Sequence, residues 1–296
     1  MAKLVQCVPN FSEGRRQAVI DEIVEAVKSV PGVIFLDCQS DRSHNRSVVT
    51  FVGEPQAVKN AAFKATETAA KLINMEEHQG EHPRMGATDV IPFIPIAEVT
   101  MEQCVELAKK LGQEIYEGLG IPVYLYEEAA TRPERKNLAS VRKGQYEGLK
   151  EEIKKEERQP DYGRAELHST AGITAVGARP PLIAYNINLD TANLEIAKNI
   201  AKGIRGSSGG FREVKALGII IKDRDIAQVT INMCNYKTAP LYRVFEVVKA
   251  EAARYGVNII GSEIVGLTPV DALIDVAEYY LRLENFNKNQ VLEKRL

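Results

Sequence analysis

The fold of this chain is most constrained by one succession of predicted strands and helices that occurs twice. Apolar runs typical of strands and amphipathic stretches typical of helices follow the order β-α-β-β-α-β in each half. The predicted strands of the first half begin near residues 3, 33, 46 and 90. Those of the second half begin near residues 182, 214, 227 and 257. Because the order and spacing match, the two halves are predicted to fold alike.

The repeated order predicts an α+β protein made of two ferredoxin-like (β-α-β-β-α-β) subdomains with a cleft between them. Residues 1–180 are predicted to form the N-terminal subdomain, and residues 181–296 the C-terminal subdomain. The boundary is expected in the glycine-rich segment 163–181, which shows no periodic pattern.

The first half continues beyond its four repeated strands. Thr100 and Gln103 have the spacing of a capping box and predict the start of a further helix. A strand is predicted at 122–127. The charged segment 128–160 is predicted to be partly helical, and its run 150–158 is typical of a solvated helix face.

Composition and charge exclude several classes of protein. The 296 residues are 45% hydrophobic and 26% charged, as in ordinary globular proteins, and the net charge of −2 shows no basic excess for nucleic acid. No apolar run approaches the ~20 residues of a membrane span, and the apolar stretch at the N-terminus, broken by Gln6 and Pro9, is not expected to be a signal peptide. The four cysteines form no CxxC pair, which favours a reducing cytoplasm over a zinc or disulfide framework.

The predicted topology gathers three polar loops at one end of the first sheet. These loops, 9–16, 39–46 and 78–88, are here called the rim. They contain Asn10, Ser12, Glu13, Arg15, Asp41, Arg42, His44, Asn45, Arg46, His78, Glu81, His82 and Arg84. Three of the four histidines of the chain lie on this rim. Polar side chains from separate loops that converge in this way are typical of a binding or catalytic site.

The chemistry of the rim favours proton transfer on an anionic ligand. His82 lies between Gly80 and Gly86 in a loop with Pro83, and a histidine can take and return a proton near neutral pH. A surface histidine without a role is the alternative. Arg46 and Arg84 are candidates to bind a carboxylate through two parallel hydrogen bonds. Asp41 and Asn45 are natural turn residues, so turn chemistry alone can explain the hairpin that contains them.

Other motifs indicate no further chemistry. The run Gly206-Ser207-Ser208-Gly209-Gly210 lacks the Lys-Ser/Thr ending of a phosphate-binding loop and precedes a strand, so a lid or linker is favoured. His78 and His82 alone are weak as a metal pair because they lie in a glycine- and proline-containing loop. No metal is therefore expected.

Several motifs resemble those of the glutamate formimidoyltransferase family, the formiminotransferase domain family of formimidoyltransferase-cyclodeaminase. They are residues 7–15 (CVPNFSEGR), 45–46 (NR), 80–87 (GEHPRMGA), 122–126 (PVYLY), 184–188 (AYNIN) and 261–267 (GSEIVGL). The resemblance covers nearly the whole chain. The family fold of two ferredoxin-like subdomains agrees with the fold predicted above.

The resemblance implies transfer of a formimidoyl group from N-formimidoyl-L-glutamate to N5 of tetrahydrofolate, a step of histidine degradation. His82 is the implied catalytic general base and acid, with Asp41 and His44 as further catalytic candidates. Some relatives carry a carboxylate where this sequence has Gln39, so Asp41 or Glu81 is a candidate to support His82. Tetrahydrofolate is the implied co-substrate, bound in a tunnel between the subdomains.

The resemblance also implies which residues bind the substrates. Asn10, Arg46 and Arg84 are the rim candidates. The implied folate segment comprises Gly163, Arg164, Ala165, Glu166, Leu167, His168, Ser169, Thr170, Ala171 and Gly172. A cytoplasmic homodimer is expected. Vertebrate relatives carry an additional cyclodeaminase domain, so a separate cyclodeaminase is expected to act downstream of this chain.

Three alternatives remain open from the sequence. The enzyme could transfer a formyl group between 5-formyltetrahydrofolate and glutamate with the same base. The chain could bind folate or another anion without turnover. It could also be an assembly module whose polar rim is simply solvated.

Overall fold

The computed structural model describes residues 2–295, which form a mixed α/β protein with two sheets and eight α-helices. The chain divides into two compact units, one ending at Arg179 and the other starting at Pro180. Each unit has its own apolar core of strand and helix side chains. The mixed α/β class and the two separate sheets expected from the sequence are confirmed.

The N-terminal unit is built on a seven-stranded sheet. Its elements are β1 (Leu4–Cys7), β2 (Asn10–Phe11), α1 (Gln17–Lys28), β3 (Val33–Asp41), β4 (Arg46–Gly53), α2 (Pro55–Leu72), β5 (Thr88–Ala97), α3 (Met101–Leu119), β6 (Val123–Glu127), α4 (Leu138–Val141), α5 (Gln145–Glu152) and β7 (Thr174–Ala178). Both β1 and β2 pair with β4 and β5, and β3 pairs with the other side of β4. These pairings are antiparallel, whereas β7 lies parallel between β5 and β6.

The helices form where the apolar spacing and the end signals of the sequence agree. In α1 the buried residues recur at three- and four-residue intervals and face the core. At the start of α3, Thr100 Oγ1 accepts from Gln103 N at 3.3 Å, and Gln103 Oε1 accepts from Thr100 N at 2.9 Å. The predicted capping box is therefore confirmed. The helix ends at Gly120, whose φ of 69° favours glycine.

Strand β7 is an element that the sequence does not predict. It lies inside the glycine-rich segment 163–181, which was expected to be only a boundary, and all five of its residues are buried. A parallel strand covered on both faces has no polar alternation, so the usual strand pattern is missing. A Cβ at Gly177 would collide with the backbone of Tyr126 on β6, which explains the small residue there.

The segment 128–160 covers the second face of the N-terminal sheet. Leu149 and Ile153 are fully buried and pack with Tyr124 and Tyr126 of β6 in a separate apolar cluster. The prediction that 150–158 is a solvated helix face is therefore wrong at Ile153. The charged residues around it remain mostly exposed, which explains why the sequence alone suggested a solvated surface.

The C-terminal unit follows the predicted β-α-β-β-α-β order and ends with an additional helix. Its elements are β8 (Ile183–Leu189), α6 (Leu194–Ile204), β9 (Val214–Ile221), β10 (Ile226–Met233), α7 (Leu241–Ala253), β11 (Ile259–Val265) and α8 (Val270–Leu281). The four strands form an antiparallel sheet in the order β11-β8-β10-β9. None of the helices in residues 2–295 has the length and apolar character needed to cross a bilayer.

Candidate functional site

The three loops of the rim meet around Asn45, in the turn between β3 and β4. Asn45 is buried and has a φ of 48°, a left-handed conformation that asparagine tolerates. Its Oδ1 accepts a hydrogen bond from Gly14 N at 2.9 Å, and its Nδ2 donates to the carbonyl of Gln79 at 2.9 Å. One side chain therefore joins this turn to the loop before α1 and to the loop before β5. From the sequence, Asn45 is one of the polar rim residues and a natural turn residue, and its joining role is not predicted.

Close backbone contacts complete the junction of the rim loops. Ser12 Oγ donates to the carbonyl of Gly86 at 2.7 Å, and Glu81 N donates to the carbonyl of Ser43 at 3.2 Å. A Cβ at Gly80 would collide with the carbonyl oxygen of His44. The turn and the loop that carries His82 are thus in direct backbone contact, which holds their side chains in register.

His82 is half-buried, and both of its ring nitrogens have partners. Arg46 Nη1 lies 3.0 Å from Nε2 of His82. Because a guanidinium only donates, Nε2 is the acceptor in this contact. The ring also hydrogen-bonds to the backbone of Pro83. Proline offers only a carbonyl, so Nδ1–H is the donor there. His82 is therefore held as the neutral tautomer whose lone pair on Nε2 faces Arg46.

The surroundings of His82 strongly disfavour its protonated form. Burial lowers the pKa of His82 to about 3, and the positive charges of Arg46 and Arg142, together with His44, act in the same direction. The hydrogen bond to Pro83 opposes this only weakly. In the free protein, His82 is therefore neutral at physiological pH but a weak base.

Arg46 forms no ion pair with a carboxylate within residues 2–295. Besides His82, its partner is the amide oxygen of Asn10, 3.3 Å from Nη1. Burial lowers the pKa of Arg46, and repulsion from Arg142 adds to this effect, whereas Asp89 and Asp41 oppose it. A half-buried guanidinium that has only uncharged partners is suited to receive an anion.

Asp41 and His44 pair with each other at the exposed side of the rim. His44 Nδ1 lies 3.0 Å from Asp41 Oδ1, and the same oxygen accepts from the backbone of His44 at 2.7 Å. These contacts lower the pKa of Asp41, with the backbone hydrogen bond as the largest cause. The rings of His44 and His82 are 6.2 Å apart between centroids, edge to face. Asp41 thus orients His44 and does not contact His82.

No carboxylate in the described part of the chain hydrogen-bonds to His82. Gln39 donates instead to Asp37 at 3.0 Å on the exposed end of β3, and Glu81 is exposed. The backbone of Pro83 is the other hydrogen-bond partner of the His82 ring, and it has the smallest effect among the groups that shift the pKa of His82.

A second arginine–histidine pair lies on the same rim. Arg84 Nε donates to His78 Nδ1 at 3.2 Å, and His78 Nε2 lies 2.9 Å from the carbonyl of Asn45, to which it donates. The guanidinium of Arg84 also forms a two-point ion pair with Glu147, with distances of 2.8 and 2.6 Å. Gln145 Oε1 accepts a further bond at 3.2 Å. Arg84 is therefore already neutralised and buried, and its use as a substrate ligand stays a prediction.

Asp89 and Arg142 form a further ion pair next to the rim. Asp89 is buried at the start of β5, and Arg142, at the end of α4, is ion-paired with its carboxylate. The other carboxylate oxygen accepts from the backbone of Met85 at 2.9 Å. Neither residue was a sequence candidate, because a partner 53 positions away in a charged segment has no local signature.

The segment 163–172 is joined to the His82 loop through its second half. Ala87 N donates to the carbonyl of Ala171 at 2.9 Å, and Ile173 N donates to the carbonyl of Met85 at 3.2 Å. His168 Nδ1 accepts from Thr170 and Ala171 at 3.3 and 3.0 Å, so His168 shapes its own turn.

The first half of this segment is more open than the second. Arg164 and Glu166 expose most of their side chains and lie 3.8 Å apart. Gly163 and Ser169 are exposed, and Ala165 and Leu167 are half-buried. Gly163 and Gly172 have φ values of 112° and 71°, which favour glycine at both ends of the segment. The implied folate residues thus form one turn-rich surface segment next to the His82 loop.

The cysteines and acidic residues give no sign of a metal or thiol site. Residues 2–295 contain no cluster of three or more His, Cys, Asp or Glu side chains that could hold a metal ion. Burial raises the pKa of Cys104 to about 12 and that of Cys38 to about 11, and Cys7 is shifted in the same direction. These thiols are thus protonated and weak nucleophiles at neutral pH.

The rim side chains surround a small recess of about 170 Å³. It is lined by Phe11, Ser12, His44, Asn45, Arg46, His78, His82, Arg84 and Asp89. Residues of all three rim loops therefore line one shallow recess.

Comparison with known families covers both units. The formiminotransferase domain, N-terminal subdomain, matches residues 4–179, and the formiminotransferase domain matches residues 184–295. A glutamate formimidoyltransferase of Streptococcus pyogenes serotype M1 is 58% identical, covering 100% of this chain and 99% of that protein. A glutamate formimidoyltransferase of Thermoplasma acidophilum is 51% identical, covering 99% of this chain and 97% of that protein.

A longer relative shares the same region. A formimidoyltransferase-cyclodeaminase of Dictyostelium discoideum is 44% identical over all of this chain, which covers 56% of that protein. The two units and the matches to them define a two-part α/β protein of the formiminotransferase domain type. The chain belongs to the formiminotransferase family, as the motifs of the sequence indicate.

Proposed function

We propose that this protein is a glutamate formimidoyltransferase, an enzyme that transfers one-carbon groups. It moves the formimidoyl group from N-formimidoyl-L-glutamate to N5 of tetrahydrofolate, giving 5-formimidoyltetrahydrofolate and L-glutamate. Relatives with this name align with the whole chain at 58% and 51% identity. The observation that carries the proposal is a neutral histidine, His82, whose Nε2 lone pair lies beside the guanidinium of Arg46 in the recess of the rim.

His82 serves as the single proton carrier in this reaction. N5 of tetrahydrofolate attacks the formimidoyl carbon and forms a tetrahedral intermediate. Nε2 of His82 takes the proton that N5 loses and returns it to the glutamate nitrogen as the carbon–nitrogen bond breaks. The proton count balances with one imidazole, because the same site accepts and then donates. A positioned general base and acid contributes about 10²–10⁴-fold to the rate.

Arg46 is the proposed ligand of the glutamate carboxylate. It has no acidic partner within residues 2–295, and its Nη1 reaches the recess beside His82. Asn10 Oδ1 accepts from the same nitrogen, Arg46 Nη1, at 3.3 Å. Asp41 and His44 are proposed to act around the proton carrier, since the His44 ring lies next to that of His82.

The folate is proposed to contact the segment 163–172. Support comes from the backbone hydrogen bonds that join Ala171 and Ile173 to the loop of residues 85–87. A ligand on this segment lies next to the loop that carries His82. The exposed Arg164 is suited to the acidic tail of a folate.

The cellular setting is part of the proposal. We place the reaction in histidine degradation, in a cytoplasmic homodimer. Relatives named formimidoyltransferase-cyclodeaminase are about twice the length of this chain. A cyclodeaminase is proposed to consume the product of this enzyme, since the names of these relatives combine the two activities.

Product analysis with two donor pairs tests the proposed function. The purified protein is incubated with N-formimidoyl-L-glutamate and tetrahydrofolate, and separately with 5-formyltetrahydrofolate and glutamate. We expect L-glutamate and 5-formimidoyltetrahydrofolate from the first pair at the higher rate. A preference for the second pair would replace the donor assignment. Folate binding without turnover of either pair would identify a binding protein.

A further inference from the structure

We infer that Arg46 couples carboxylate binding to the release of His82, because it holds the Nε2 lone pair of His82 in the free protein and gives it up when a carboxylate binds. The inference rests on the proposed function for the identity of the carboxylate. It assigns Arg46 a second task beyond holding the substrate, since the arrival of the substrate prepares the base.

The first step of the argument is the occupancy of His82. Its Nδ1–H is directed to the Pro83 backbone, and its Nε2 accepts from Arg46 Nη1 at 3.0 Å. A base must have a free lone pair within reach of the proton that it takes. In this arrangement His82 has none. Arg46 must therefore move or change partners before N5 can deliver its proton.

The second step is the lack of an acidic partner for Arg46. The two carboxylates that act electrostatically on Arg46 are already paired, because Asp89 is bound by Arg142 and Asp41 is bound by His44. A carboxylate brings a full negative charge and can accept two parallel hydrogen bonds from a guanidinium, whereas the neutral imidazole offers a single lone pair. An incoming carboxylate therefore competes well against the imidazole of His82 for the Arg46 donors.

The third step is the chemistry of the donor substrate. In N-formimidoyl-L-glutamate the α-carboxylate carbon is two bonds from the nitrogen that leaves. A carboxylate bound by Arg46 thus brings the leaving nitrogen close to the position that Nε2 of His82 can reach. The proton taken from N5 can then be returned to that nitrogen without a second acid.

Electrostatics act in the same direction. The charged and titratable groups that act on His82 are Arg46 from β4, Arg142 at the end of α4 and His44 from the turn. Asp89 and Asp41 act on Arg46. His78 and Arg84 line the same recess. A carboxylate bound to Arg46 neutralises the charge of that guanidinium. His82 then becomes easier to protonate at the moment when the reaction requires it.

NMR titration of the His82 ring tests this coupling directly. The ring signals are assigned with His82→Asn, and the pKa of His82 is measured with and without L-glutamate at constant ionic strength. In the wild-type protein we expect a low pKa that rises on addition of L-glutamate. In Arg46→Met we expect a raised pKa that no longer responds to glutamate. An equal pKa in the two proteins, or an equal response to glutamate, would overturn the inference.

Kinetics provide a second readout that a purely structural role would not change. For Arg46→Met we expect KM for formimidoylglutamate to rise about 10- to 150-fold, as for loss of a charged hydrogen bond. The pH profile of kcat/KM should also shift its acid limb towards higher pH. Arg46→Lys keeps the charge and should restore part of kcat/KM. Unchanged KM and pH profile in a folded Arg46→Met would also overturn the inference.

The two proposals fail in different ways. If the wild-type protein does not turn over formimidoylglutamate, the function is wrong, but the response of His82 to L-glutamate still reports on Arg46. If turnover is present and His82 does not respond, only the coupling is wrong. Arg254→Met is the matched control, because this exposed arginine pairs with Glu251 in the C-terminal unit and should leave both readouts unchanged.

Discussion

Two arginine–histidine pairs lie on one rim of the N-terminal unit, and their partners differ. Arg84 contacts His78 and is neutralised by Glu147, while His78 is tied to the backbone of Asn45. Arg46 contacts His82 and has no acidic partner within residues 2–295. The first pair is complete without a ligand, whereas the second leaves a positive charge unpaired.

The same kind of contact thus has a structural form in the Arg84–His78 pair, here called the structural pair. It has a reactive form in the Arg46–His82 pair, here called the reactive pair. In both pairs a guanidinium donates to a ring nitrogen, so the contact alone does not separate them. The carboxylate of Glu147 distinguishes the two pairs, because it neutralises the charge of Arg84 and occupies its hydrogen-bond donors. At the pair that lacks a carboxylate, an anionic substrate can form an ion pair with the arginine.

The largest expected effect tests the reactive pair. His82→Ala removes the proton carrier and should lower kcat by about 10²–10⁴-fold, while folate binding stays close to that of the wild-type protein. The measurement is steady-state turnover with formimidoylglutamate and tetrahydrofolate, together with calorimetric binding of folate. Near-normal turnover in this variant would remove His82 from its role.

The structural pair should control stability instead. Arg84→Met removes five hydrogen bonds from a buried side chain and should lower the free energy of unfolding by about 1.5–3 kcal/mol. Arg46→Met is the matched variant and should lose less, because its partners are few and uncharged. Urea denaturation of both variants makes the comparison. A larger loss for Arg46 would contradict the division between the pairs.

Gly80 tests the backbone contact that both pairs share. In Gly80→Ala the new methyl group collides with the carbonyl of His44, so the turn must separate from the His82 loop. We expect a loss of about 1–3 kcal/mol in unfolding free energy and a clear loss of turnover. Gly148→Ala in α5 meets nothing within 4 Å and should instead stabilise the protein by about 0.5–1 kcal/mol.

The smallest effect is a dependence of stability on pH. Burial holds the pKa of His82 at about 3, below its ordinary value near 6.5. As the pH falls below 6.5, the unfolded chain binds a proton that the folded protein refuses, so stability is lost. The slope is at most about 1.4 kcal/mol per pH unit. His82→Asn should be less sensitive between pH 6.5 and 5 in urea denaturation, and an identical slope would contradict the burial of a neutral His82.

The position of the rim is largely predictable from the sequence. The repeated β-α-β-β-α-β order places the loops 9–16, 39–46 and 78–88 at one end of the sheet, and the structure brings them together around Asn45. The direction of each strand follows from its connection to the next strand. The strand directions therefore decide which loops lie at the same end of the sheet. The presence of His82 and Arg46 at this end therefore follows from local patterns.

The roles of individual side chains were less accessible. Arg46 and Arg84 are equivalent candidates in the sequence, and Glu147 and Arg142 lie in a charged segment that resembles a solvated surface. Strand β7 was missed because its small, fully buried residues lack alternation. In each case the deciding partner is far away along the chain.

The sequence by itself determined the family, the order of strands and helices, and the three loops that carry the polar residues. Periodicity, capping and turn residues act over a few positions, so they can be recognised one segment at a time. Only the tertiary structure decided which arginine is neutralised and which histidine keeps its lone pair towards an unpaired charge. That decision depends on electrostatic partners 36 and 63 positions apart, which approach each other only when the sheet and its covering helices have formed.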